Sequence, residues 1–148
     1  MKLQEDVAGC GPAALCNALE AAGVRLSQET AHKLSGCTGT KGTSERGLMR
    51  ALSTLGHRAI QLRETDPGVA IMTLRGYLLH GVPCILLVDN SGHWVTAAST
   101  LGPRICVVDS ADGGVVSCLE QDAFMARWYC VAETKPFYAI AVVARKSQ

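Results

Sequence analysis

The hydrophobic period of this chain shifts near residue 80 from mainly helical to mainly strand-like, which constrains the fold class. Before it, apolar residues recur at helical spacing. "CGPAALCNALEAAG" sets Ala14, Leu15, Ala18, Leu19 and Ala22 along one face, with Pro12 in the first turn and Gly23 as a stop. "SQETAHKLSG" reads as a short helix capped by Ser27 and closed by Gly36. "TSERGLMRALSTLG" carries Leu48, Met49, Leu52 and Leu55 on one face, with Glu45 in its first turn. A strand, "HRAIQLRE", and a fourth helix from about Ala70 to His80 follow. After the change, "CILLVDN", "HWVTAAST", "RICVVDS" and "VVSCLE" are strand-like runs parted by the turn signals "NSG", "LGP" and "ADGG". A short helix near Gln121 to Trp128 and a last strand, "FYAIAVVA", close the chain. Helices followed by an antiparallel meander predict an α+β fold, with N-terminal helices packed on a C-terminal antiparallel sheet.

Composition narrows the function classes. The 148 residues are expected to form a single domain, 1–148, and with 48% hydrophobic and 18% charged residues it is globular. A net charge of +1, with acids and bases interspersed, gives no footprint for nucleic acid or a membrane surface. The seven cysteines are odd in number and form no CxxC pair, which argues against a disulfide framework and against a four-cysteine zinc site. Cys84, Cys106, Cys118 and Cys130 lie in apolar runs and read as small buried hydrophobes, a usage that fits a reducing compartment. "MKLQEDVAG" has no apolar stretch, and no run approaches 18 apolar residues. Neither a signal peptide nor a membrane span is expected, which makes the cytoplasm the default location.

Cys10 is the residue that asks for chemistry. Pro12 places it at or just before the first helical turn, where unpaired N–H groups and the helix dipole favour an anion such as a thiolate. Gly9 and Gly11 on either side leave the sulfur uncrowded; the alternative is a buried cysteine near a cap. A cysteine nucleophile needs a base. His32 and His57 read as solvent-facing, and His80 as a helix C-terminal residue facing its own dipole. A lone strand-start histidine is commonly structural, but His93 opens "HWVTAAS" at the rim of the sheet. The following strand ends in Asp109, which an antiparallel neighbour can bring to the imidazole. Asp112, in the turn "SADGG", is the competing acid. Gln4, six residues before Cys10, offers a side-chain amide for an oxyanion.

Together these residues resemble the C39 family of papain-like cysteine peptidases, the bacteriocin-processing endopeptidases, and the wider C39-like group. The resemblance runs nearly end to end, through "Q-x5-CGPAAL", "GTKGTSERGLMRALSTLG", "GVPCILLV", "GHWV", "VVDS" and "DAFMARW". It implies a papain-like fold, Cys10 as nucleophile, His93 as base, Asp109 as the residue orienting it, and Gln4 completing the oxyanion hole. It implies a peptide or protein substrate and no cofactor or metal. The same site could instead pass its acyl group to an amine or thiol, as phytochelatin synthase does. A catalytically silent peptide-binding domain is the alternative from another class, although a pure binder has no chemical need for all four residues.

Overall fold

The structure is a computed structural model that describes residues 10–37 and 42–143. Its elements run α1 (Cys10–Ala21), α2 (Gln28–Ser35), α3 (Glu45–Thr54), β1 (Arg58–Glu64), α4 (Pro67–Leu79), β2 (Cys84–Val88), β3 (His93–Leu101), β4 (Arg104–Val108), β5 (Val116–Leu119), α5 (Gln121–Trp128) and β6 (Phe137–Val143). A one-turn 3-10 helix, Ser110–Asp112, joins β4 to β5. Side-chain caps set the helix starts. Ser27 Oγ accepts from the Thr30 N–H at 3.1 Å, and Ser44 Oγ from the Gly47 N–H at 3.0 Å. Asp66 Oδ1 accepts from the Val69 N–H at 3.1 Å, with Pro67 next to it at the first helical position. So α4 begins at Pro67 rather than near Ala70: Asp-Pro is itself a start signal.

The six strands form one antiparallel sheet in the order β1-β6-β2-β3-β4-β5. Strands β2 to β5 are the expected meander, but β6 returns to lie between β1 and β2. Burial explains the insertion. Every residue of β6 except Val143 is buried, so it needs a neighbour on each edge and cover on each face. In β1 only Leu62 is buried, which suits an outer edge.

Alternation along the strands gives the sheet two apolar faces. Phe137, Ala139 and Ala141 join Leu86 and Val95 against Leu74 and Leu78 of α4 and Phe124 and Trp128 of α5. Tyr138, Ile140 and Val142 join Ile85 and Trp94 against α1, α2 and α3. The result is α+β with helices on both faces. Helix α1 is buried on all sides from Gly11 to Leu19, as a helix inside a core must be. The Thr96 hydroxyl fixes it to β3, donating to the Ala14 carbonyl at 2.8 Å.

Two sequence expectations change. Cys106 and Cys118 are joined by a disulfide, where small buried hydrophobes and no disulfide framework were expected. Strand register decides this: the two stand directly opposite each other in the β4–β5 ladder. Cys84 and Cys130 are buried free cysteines, as anticipated. His57, expected at the surface, is only 6% exposed. It sits where β1 begins beside the end of β6, its Nδ1 3.2 Å from the Val143 carbonyl. No helix among the described residues is long and apolar enough to cross a membrane.

Candidate active site

Packing α1 along β3 brings the first residue of the helix, Cys10, beside the first residues of the strand. The Cys10 sulfur lies beside the His93 side chain and the backbone of Trp94 and Gly11, which all favour its anionic form. Register brings in the acid. Thr96 pairs with Val108, so Asp109 falls opposite Val95, and His93 lies two residues back on the same face of the strand. His93 Nε2 and Asp109 Oδ1 are 2.6 Å apart. With Nε2 occupied, Nδ1 is the ring nitrogen left for the sulfur. Asp109 also caps the 3-10 turn, accepting from the Ala111 N–H at 2.9 Å. Asp112 is exposed at the far end of that turn. Both partners of the His–Asp pair are shielded, with 14% and 7% of their side chains exposed.

The electrostatics favour an ion pair. Burial pushes the Cys10 thiol up, but the hydrogen bonds from His93, Trp94 and Gly11 and the charge on His93 outweigh it, so the thiol lies below its ordinary value. His93 is pushed up to about 9, chiefly by its bond to Cys10, against burial and with further help from Asp109. Burial raises the Asp109 carboxyl, yet bonds from His93, Arg127 and Ala111 hold it below the usual carboxylate range. Cys84 shows the opposite case: burial with no ionic partner pushes it up to about 12.

The three candidates Cys10, His93 and Asp109 therefore meet at one point. Gln4 and Gly9 lie outside the described residues. His80 caps α4, its Nδ1 2.7 Å from the Gly76 carbonyl, as a helix-terminal histidine should. The glycine after Cys10 has a different use from the one its sequence suggests. A Cβ at Gly11 would lie 2.5 Å from Thr43 Cβ, so the room is taken by Thr43 and not left open beside the sulfur. Thr43 in turn accepts from Trp94 Nε1 through its carbonyl at 3.0 Å. A groove of about 500 Å³ adjoins this corner, lined by Thr43, Trp94, Leu87 and Tyr138 with the charged side chains of Glu45, Arg63, Glu133 and Lys135. Arg127 of α5 is the residue that sequence reasoning missed: its Nη2 donates to Asp109 Oδ2 at 2.5 Å. Its only sequence signal is a cation inside "DAFMARW", which nothing local ties to the site.

No protein-family model and no curated protein matches the chain. Solved structures do. The peptidase domain of Streptococcus ComA, a bi-functional ABC transporter involved in quorum sensing, superposes with a TM-score of 0.75 at 22% identity, covering 97% of each chain. A double-glycine-motif protease from an AMS/PCAT transporter, solved with the leader peptide, gives 0.71 at 19% identity over 95% of this chain and 86% of that one. The N-terminal C39-like peptidase domain of a Vibrio parahaemolyticus toxin-secretion ATP-binding protein gives 0.58 at 16% identity over 89% and 97%. N-terminal helices on a six-stranded antiparallel sheet give this chain the fold of the C39 and C39-like peptidase domains.

Proposed function

We propose that this chain is a cysteine peptidase that hydrolyses peptide or amide bonds through a thioester acyl-enzyme. The observation that carries the reading is the meeting of a helix-terminal thiol, a histidine and a shielded aspartate: Cys10 stands beside His93, whose Nε2 lies 2.6 Å from Asp109 Oδ1. In this reading the Cys10 thiolate attacks the scissile carbonyl carbon, and the electron pair moves to oxygen. Gln4 is proposed as the donor that meets this oxyanion. The His93 imidazolium then gives its Nδ1 proton to the departing amine as the C–N bond breaks, leaving the thioester. Water attacks next, with His93 now taking its proton, and the carboxylic acid and free thiol are released. Asp109 keeps Nε2 protonated and the ring in place throughout. The groove beside the corner suits an extended peptide, and a neighbour of the same fold was solved with a leader peptide bound.

A peptide-library cleavage assay on the wild type and on Cys10→Ala tests the activity. Limited iodoacetamide at pH about 6, followed by peptide mapping, tests the thiolate with no substrate, because an ordinary thiol is protonated there. Cys10 should be labelled ahead of Cys37, another partly exposed cysteine outside the disulfide, and His93→Ala should slow its labelling. A Cys10 that reacts no faster than Cys37 and ignores the loss of His93 would remove the peptidase reading.

A further inference from the structure

We infer that Arg127 is a positioning residue for the His93–Asp109 pair, an inference that rests on the catalytic reading of those two residues. Asp109 uses both carboxylate oxygens. Oδ1 accepts from His93 at 2.6 Å and from the Ala111 N–H at 2.9 Å, while Oδ2 accepts from Arg127 Nη2 at 2.5 Å. Without the guanidinium one oxygen is free, and the carboxylate can turn away from the imidazole.

The same guanidinium reaches the other side of His93. Arg127 Nε donates to Asp89 Oδ1 at 2.9 Å and Nη2 to Asp89 Oδ2 at 3.0 Å, a bidentate bond of the kind arginine's planar fork allows and lysine's ammonium does not. Asp89 opens the turn that delivers His93. That turn holds three successive non-glycine residues at positive φ, Asp89 at 54°, Asn90 at 54° and Ser91 at 68°. Such a run persists only where its surroundings over-determine it. Here the α5–β6 segment does so. The Asp89 N–H donates to the Arg127 carbonyl at 3.0 Å, Asn90 Oδ1 accepts from the Ala132 N–H at 3.1 Å, and the Ser91 hydroxyl donates to Glu133 at 2.8 Å. Arg127 stands on a firm base, because Phe124 and Trp128 of the same helix are buried in the core. One side chain thus ties together the turn before the histidine and the acid behind it.

The direct readout is the downfield Nε2–H resonance of His93 in the intact protein. Arg127→Gln should broaden or lose it, and should lower kcat about tenfold to a hundredfold with KM unchanged, the scale of a slightly misplaced catalytic group. In an Asp109→Asn background the same change should alter kcat by no more than about twofold, since its route of action is already gone. An unchanged resonance in Arg127→Gln, or a full loss added on top of Asp109→Asn, would mean that Arg127 only braces the fold. Should Arg127→Gln not fold, Arg127→Lys keeps the charge without the fork, and an unchanged resonance there overturns the inference equally. A folded chain with no turnover but an Arg127-dependent resonance would remove the peptidase reading and uphold the positioning one.

Discussion

At the scale of single residues, the proposed function makes separable predictions for Asp109 and His93. Asp109→Asn should slow turnover, because an asparagine can hold the imidazole in the wrong tautomer, whereas Asp112→Asn should be close to neutral on its exposed turn. Parallel kcat measurements decide it, and the reverse ranking would reassign the third residue. The pH dependence follows from His93, whose value is raised from its ordinary 6.5 to about 9. The ion pair exists while His93 is protonated and Cys10 is not, so kcat/KM should fall as pH rises through about 9. On the acid side it should fall only below the ordinary thiol range, because Cys10 is lowered. The linked stability has the same signs. The His93 contribution is complete below about 6.5 and lost as pH rises through about 9. The Asp109 contribution is present above the ordinary carboxylate range and lost as pH falls through its lowered value. Thermal melts across pH should therefore show a plateau between these limits, and a melting curve that keeps rising past pH 9 would contradict the assignment.

Among the elements, two glycines inside helices show how one substitution takes opposite signs. A Cβ at Gly47, in α3, would lie 2.0 Å from the Ser35 carbonyl oxygen of α2. That is backbone against backbone, which neither helix can relieve by turning a side chain. Gly47→Ala should lose about 1–3 kcal/mol despite alanine's better helix propensity. A Cβ at Gly76, in α4, meets nothing within 4 Å and the residue is not at positive φ. Gly76→Ala should gain about 0.5–1 kcal/mol. Chemical denaturation of the two variants checks both signs together.

For the whole molecule, the Cys106–Cys118 bridge ties β5, a sheet edge, to β4, the strand that ends in Asp109. Its sequence separation is 12, and closing a loop of that size in the unfolded chain is worth about 3 kcal/mol. Adding reductant should lower the melting temperature of the wild type and leave a Cys106→Ala/Cys118→Ala variant unmoved. A wild type indifferent to reductant would show that the bridge contributes nothing in solution. The layer arrangement also sets where Cys10 stands. Helix α1 lies between the sheet and its two neighbouring helices, so its N-terminus cannot move without disturbing the core on that face.

What the sequence determined by itself is what local chemistry controls. The cap at Ser27, the turn signals, the change of hydrophobic period and the α+β class were all legible, because each depends on neighbours within a few positions. Cys10, His93 and Asp109 were legible too, as a residue at a helix start and two at strand ends. Only the tertiary structure decided how they meet. The Thr96–Val108 register sets Asp109, not Asp112, against the imidazole, and a one-residue slip would turn that carboxylate to the other face. The same dependence on register hid the disulfide at Cys106 and Cys118, and a contact with Val143, 86 residues away, hid the burial of His57. Arg127 was hidden for a related reason: it reaches Asp109 across 18 residues, and Asp89 across 38, from a helix on the opposite face of the sheet from α1. Contacts of that range are fixed by how layers stack, which no short window of sequence contains.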